Sequence, residues 1–364
     1  MYSKAHNTRK RVAFLFFLFF TIAVFVHSAS TSVAHAQIQL PGLLETIQLT
    51  TSPSYPAPET PVRISARSFF TDLDRSVNTW FVNGVAVSQG PGITSFEATA
   101  GPLGSTLVVE IKAESPSGAV TTARTTVRPT VTSLAWEADT YVPPFYKGRA
   151  LPSSGANIRA AAVVSFMRAD GSTIKENDIV YTWKINGRVA GSISGRGKSS
   201  VVIPGPLLFG ETLVTVIAES TDYTYRGSAT VIIPSREPYL VLYQERPAGG
   251  IAYHAALPQT SSVGDTELTF AAIPYYISTS KVKSSFLSYR WLINNAPVAA
   301  DPSDPSRITL YSELPEDGAL VSLSVEHMLN FLQTANRSWA IQFGGNASSP
   351  GISDPFGRVE TTTP

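Results

Sequence analysis

The 364-residue chain contains no cysteine, which excludes thiol nucleophiles, thiolate metal sites and disulfides. Histidine is nearly as scarce: of five, His6, His27 and His35 fall within the first 36 residues, leaving His254 and His327 for the remainder. Imidazole-based acid–base chemistry and histidine metal sites lose most of their reagents. Charge is sparse as well, at 15% of residues against the roughly 25% usual for soluble domains. Formal net charge is +1, but the first 36 residues hold Lys4, Arg9, Lys10 and Arg11 and no acid, so the rest stands at −3. That balance gives no electrostatic hold on nucleic acid, and no nucleic-acid partner is expected. Apolar runs long enough to span a bilayer are also missing. The longest, Val12 to Val26, has 15 residues and would make a helix of about 22 Å against a hydrocarbon core of ~30 Å.

What that short run does fit is an export signal. Arg9-Lys10-Arg11 precedes it and Ala34-His35-Ala36 follows it, the basic, apolar and small-x-small order read by signal peptidase. Residues 1–36 are therefore expected to form a signal peptide cleaved after Ala36, with an uncleaved anchor as the alternative and the only source of membrane contact. The mature chain is expected to be exported by the general secretory route, to the periplasm, cell surface or exterior. Without cysteine in an oxidising compartment, its domains must be held by packing alone.

One motif occurs three times. Asn78-Thr79-Trp80-Phe81-Val82-Asn83-Gly84 recurs as Tyr181-Thr182-Trp183-Lys184-Ile185-Asn186-Gly187 and as Tyr289-Arg290-Trp291-Leu292-Ile293-Asn294-Asn295, with the tryptophans 103 and 108 residues apart. In each copy a second apolar segment ends in Glu114, Glu219 or Glu326, at 34, 36 and 35 residues beyond the tryptophan. Between the two lies a turn, Gly101 to Gly104, Pro206 to Gly210 and Leu314 to Gly318. The period within each copy is two: Ile179, Tyr181, Trp183 and Ile185 share one face, as do Leu107, Val109, Ile111 and Ala113. Asn-Gly straight after the Trp strand signals a tight hairpin, and Asn294-Asn295 serves the same turn less easily. Strands of this kind, with turns every 8 to 12 residues, predict all-β architecture: three tandem Ig-like β-sandwich domains over 44–129, 130–235 and 236–344, and a disordered tail over 345–364. Trp80, Trp183 and Trp291 are expected in the three cores. Short proline-bearing links at Arg128-Pro129 and Pro234 predict a semi-rigid rod whose domains unfold nearly independently.

These Trp strands and the missing disulfide resemble the Ig-like and PKD-like repeats of exported bacterial proteins, although Trp-Phe-Val-Asn-Gly and its two counterparts replace the PKD motif Trp-Asp-Phe-Gly-Asp-Gly. An insertion shared by the second and third copies, Tyr146 to Pro152 and Tyr253 to Pro258, is similar to envelope proteins of reduced-genome lineages, some encoded near pilus or secretion components. The resemblance implies an envelope or cell-surface setting and protein partners.

Catalytic candidates are few. Gly195-Arg196-Gly197-Lys198-Ser199 has the end of a phosphate-binding loop but leads into a strand, where such a loop needs a helix, so a turn is expected. Leu151-Pro152 and Leu257-Pro258 resemble sorting signals but lie far from the carboxyl end and read as turns. The acid pairs Asp72 with Asp74, Glu176 with Asp178, and Asp301 with Asp304 could gather around Ca²⁺ or face each other across a glycan, but lack both loop spacing and a cleft. They are read as turn acids, and His327 as a surface residue. No enzymatic activity and no cofactor are expected. Aromatic loops are left: Tyr141, Phe145 and Tyr146 in the second copy and Tyr253, Tyr275 and Tyr276 in the third are candidates for binding a partner protein or glycan, or for covering a sandwich edge. The sequence thus favours an exported scaffold or spacer, with an adhesin or a polysaccharide-active enzyme as rivals.

Overall fold

The computed structural model describes residues 47–312 and 318–344. The expected signal peptide (1–36) and tail (345–364) lie outside the described residues, as does most of the turn from Leu314 to Gly318.

Alternating side chains make the first module. Its strands are β1 (Gln48–Ser52), β2 (Pro61–Arg67), β3 (Val77–Val82), β4 (Val85–Pro91), β5 (Ser95–Thr99), β6 (Leu107–Glu114) and β7 (Val120–Val127). They form two antiparallel sheets, β1-β2-β5 and β4-β3-β6-β7, which enclose Val62, Ile64, Trp80, Val109 and Ile111. The second module repeats the plan with β8 (Val131–Ala138), β9 (Asn157–Ser165), β10 (Ile179–Ile185), β11 (Arg188–Val189), β12 (Gly195–Arg196), β13 (Ser200–Pro204), β14 (Glu211–Ser220) and β15 (Arg226–Pro234). Its sheets are β8-β9-β13 and β11-β10-β14-β15, with β12 added against β10. In the third, the strands are β16 (Tyr239–Arg246), β17 (Gly250–Ala256), β18 (Thr260–Val263), β19 (Glu267–Tyr275), β20 (Leu287–Ile293), β21 (Ala296–Val298), β22 (Arg307–Tyr311), β23 (Gly318–His327) and β24 (Asn330–Phe343). Two strands are extra here: β17 lengthens the sheet β17-β16-β19-β22, and β18 runs parallel to β24 at the edge of β18-β24-β23-β20-β21. The chain is all-β, three sandwiches in tandem.

The repeated motif does the same physical work in each copy. Trp80, Trp183 and Trp291 are essentially fully buried. Their indole N–H groups donate to the carbonyls of Ile93, Lys198 and Pro305 at 2.9, 2.9 and 3.0 Å, so each of these three buried donors is paired. The turn that follows has positive φ at both central residues, 49° and 83° at Asn83-Gly84, 50° and 80° at Asn186-Gly187, and 51° and 66° at Asn294-Asn295. Each first asparagine uses its side-chain oxygen to accept from the backbone N–H of Val108, Leu213 or Leu320, tying the hairpin to the strand beside it. Asparagine is favoured there because it tolerates the left-handed region and carries its own acceptor.

One sheet departs from the half-buried pattern. Along β16, Leu240, Val241, Leu242 and Tyr243 are all buried, and along β19 so is every residue from Phe270 to Tyr275. Leu240, Leu242, Phe270 and Ala272 face the core, whereas Val241, Tyr243, Ile273 and Tyr275 form a separate apolar cluster on the opposite face. A sheet with both faces buried needs a cover on each, and the outer cover is supplied by the second module.

A tyrosine-lined cleft at the joint of the second and third modules

The cover is the insertion between β8 and β9. Tyr141, Val142, Tyr146 and Leu151 pack on Val241, Tyr243, Ile273, Tyr275 and Tyr276. Backbone pairing fixes its position: Tyr141 N–H donates to Ile277 O at 2.8 Å, and Tyr276 N–H donates to Tyr141 O at 2.9 Å. Two phenol pairs lock the packing, Tyr146 with Tyr276 at 2.8 Å and Tyr243 with Tyr275 at 2.7 Å. Ring edges meet faces, with Tyr146 and Tyr275 centroids 5.6 Å apart at 73° and Tyr243 and Tyr253 5.5 Å apart at 58°. At the far side of the joint, Asn330 and Gln333 amides both donate to Ser154 O, at 2.8 and 2.9 Å.

Burial dominates the electrostatics. It pushes Tyr141 up to about 12, with the neighbouring Tyr253 phenol adding to the shift. Tyr275 and Tyr276 are raised further, first by burial and then by hydrogen bonds to Tyr243 and Tyr146. Burial also raises Tyr243 and Tyr253. All these phenols stay neutral at physiological pH, so the cluster is aromatic and polar without supplying a base or an anionic nucleophile.

Beside the joint lies an open cavity of about 560 Å³. Pro143, Pro144, Phe145, Tyr146 and Lys147 form its wall from the second module, and Tyr243, Ile251, Tyr253, His254 and Tyr275 its wall from the third. The six aromatic candidates thus converge on one place but divide by role. Tyr275 and Tyr276, 2% and 5% exposed, are floor and joint rather than a loop surface, because Tyr275 ends β19 under the insertion and Tyr276, next in the chain, pairs with Tyr141. Tyr141 and Tyr146 are half-buried joint residues, Tyr253 is half-buried on β17, and Phe145 stands 91% exposed at the lip. Sequence reasoning missed Val241, Tyr243, Ile251 and Ile273. For Val241, Tyr243 and Ile273 the signal was the loss of alternation over Tyr239 to Tyr243 and Phe270 to Ile277, which marks strands covered on both faces.

The remaining candidates sit apart from this cleft. Asp72 accepts from Arg75 N–H at 3.3 Å. Glu176 accepts from the Ser199 hydroxyl, and Asp178 pairs with Arg196 at 2.8 Å. Asp304, 5% exposed, would be raised by burial but is held below the usual carboxylate range by Lys283 at 2.7 Å, Ser306 and Arg307. Lys198 folds back onto Ser192 O at 2.8 Å. His327 is buried rather than on the surface: it stacks on Phe286 and accepts from Leu329 N–H at 3.3 Å. Among the described residues, no three His, Asp or Glu side chains gather as a metal site, and no helix is long and apolar enough to cross a membrane.

Paired antiparallel sheets of this strand order define an array of immunoglobulin-like or fibronectin-III-like sandwiches. No protein-family model and no curated protein matches the chain. Among solved structures, it is similar to the central fibronectin-III array of RIM-binding protein, at 13% identity over 83% of this chain and 97% of that one, with a TM-score of 0.30. Fibronectin(III)-like modules of Clostridium thermocellum CbhA match at 13% identity over 52% and 95%, with a TM-score of 0.25. The Bacteroides ovatus mixed-linkage glucan utilization locus SGBP-B, in complex with a mixed-linkage heptasaccharide, matches at 12% identity over 81% and 66%, with a TM-score of 0.21.

Proposed function

We propose that the chain is an exported, non-catalytic scaffold or spacer of a bacterial cell envelope, which holds loop surfaces at fixed spacing for other envelope proteins, pilus or secretion components among them. The observation that carries this reading is the joint: the longest insertion of the second module is used to fasten the third, through a hydrophobic cluster and backbone pairing. An array whose connection is built this heavily transmits position, which is what a spacer requires. The basic-apolar-small order of residues 1–36 supports export, and the absence of cysteine suits modules held by packing. No catalytic step and no cofactor is assigned.

Crosslinking the tagged protein in its own cells, followed by mass spectrometry of the captured partners, tests the reading. Secretion, pilus or wall-assembly proteins of the same cell are the expected partners. Partners drawn only from other cells would replace the scaffold with an adhesin.

A further inference from the structure

The cleft presents more aromatic surface than the joint consumes. Phe145 is the clearest case: its backbone is held at φ +67° and its ring is 91% exposed. A bulky residue in the left-handed region is uncommon, and this one lines the cleft. Phe209 and Tyr223 share the conformation, at φ 57° and 58°, but neither lines this cleft.

We propose that the cleft between the second and third modules is a saccharide-binding site that prefers an acidic sugar. Phe145 lines the cavity from the second module and Tyr253 from the third, and the C–H face of a pyranose stacks on aromatic rings at small entropic cost. The Tyr253 hydroxyl has no hydrogen-bond partner among the described residues, which leaves its donor and acceptor for a sugar hydroxyl. At about 560 Å³ the cavity is within the ~300–1,000 Å³ range of ligand pockets and has room for a short oligosaccharide. Lys147 lies on the rim with His254, and no carboxylate lines the cavity; the nearby Glu245 is engaged by Arg307 at 2.5 and 2.9 Å. The rim therefore complements a uronate or similar acid. A proline-rich peptide also suits aromatic grooves, but its pyrrolidine rings bring no charge to Lys147 on the rim, whereas an acidic sugar brings a carboxylate.

This inference does not rest on the scaffold reading, since a spacer can hold the cell's own polymer and an adhesin a foreign one. Isothermal titration of the purified chain with trigalacturonic acid, a hyaluronan tetrasaccharide and sialyllactose, each beside an uncharged counterpart, tests it. At least one acidic probe is expected to bind more tightly than its neutral partner. Phe145→Ala, at an exposed position that leaves the core untouched, is expected to weaken that binding about tenfold, and Lys147→Gln to cut the acidic preference about threefold. Failure of all three acidic probes at millimolar concentration overturns the proposal, as does equal affinity for neutral sugars or indifference to both variants. Binding of a polyproline decamer that Phe145→Ala abolishes, with no sugar bound, reassigns the cleft to peptides. None of these results alters which proteins crosslink in the cell.

Discussion

The side-chain amide of Gln333, fully buried on β24 of the third module, donates at 2.9 Å to the backbone carbonyl of Ser154 in the second. The same side chain accepts from Ser278 N–H and donates to the Ser278 hydroxyl, both at 2.9 Å. One amide thus joins two modules and a loop. Together with the tyrosine cluster, it makes the second and third modules a coupled pair, where the proline-bearing links alone suggested near-independent units. Between the first and second modules the contacts are lighter: Thr130 N–H donates to Pro56 O at 3.1 Å, the Arg226 guanidinium lies 5.8 Å from the centroid of the Tyr55 ring, and among the described residues no hydrophobic core cluster crosses that joint.

Calorimetry is expected to show two transitions, one for the first module and one shared by the other two. Gln333→Ala leaves the Ser278 amide without its acceptor and should cost about 1–3 kcal/mol, splitting the shared transition. Three separate transitions in the unmodified protein would contradict the coupling.

Trp183 fills the second core and satisfies the Lys198 carbonyl. Trp183→Ala is expected to cost about 3–5 kcal/mol in denaturant unfolding, with the loss confined to the transition that contains the second module.

Asn186→Ala asks alanine to hold φ at 50° and removes the acceptor for Leu213 N–H, for an expected loss of about 1–2 kcal/mol. Asn295→Gly acts in the opposite direction. It relieves a side chain held at φ 66° and should raise the thermal midpoint of the shared transition.

Alkali should open the joint. A phenol whose folded pKa lies above its unfolded value contributes stability that is complete below the unfolded value, near 10, and declines as pH rises through the folded one. For Tyr141 that window runs from about 10 to about 12, and Tyr275 and Tyr276 extend it upward. Ultraviolet titration should show these phenols ionising late and together with loss of the joint, whereas Tyr141→Phe should narrow the loss.

The sandwich plan was legible because it is written in local terms: a period of two around each Trp strand, an Asn turn that needs positive φ, and a strand ending in Glu beyond it. β10, from Ile179 to Ile185, falls where the period-two run of its residues pointed. The joint was harder to read. Tyr275 and Tyr276 look like loop aromatics in isolation, and only the burial of β16 on both faces explains why a segment over a hundred residues earlier in the chain must cover them. β17 and β18 were absent from the expectation for a similar reason, since both are edge strands defined by what they pair with. Likewise His327 takes its burial from Phe286, a neighbour that its own surroundings in the sequence do not reveal.

The doubly covered sheet also limits how this array can be rearranged by recombination. Excised alone, the third module would turn Val241, Tyr243, Ile273 and Tyr275 out to water as a sticky face, and the second would carry an insertion with nothing to clasp. The smallest piece that can be duplicated, swapped or grafted without creating such a face is the pair, while the first module can be gained or lost by itself.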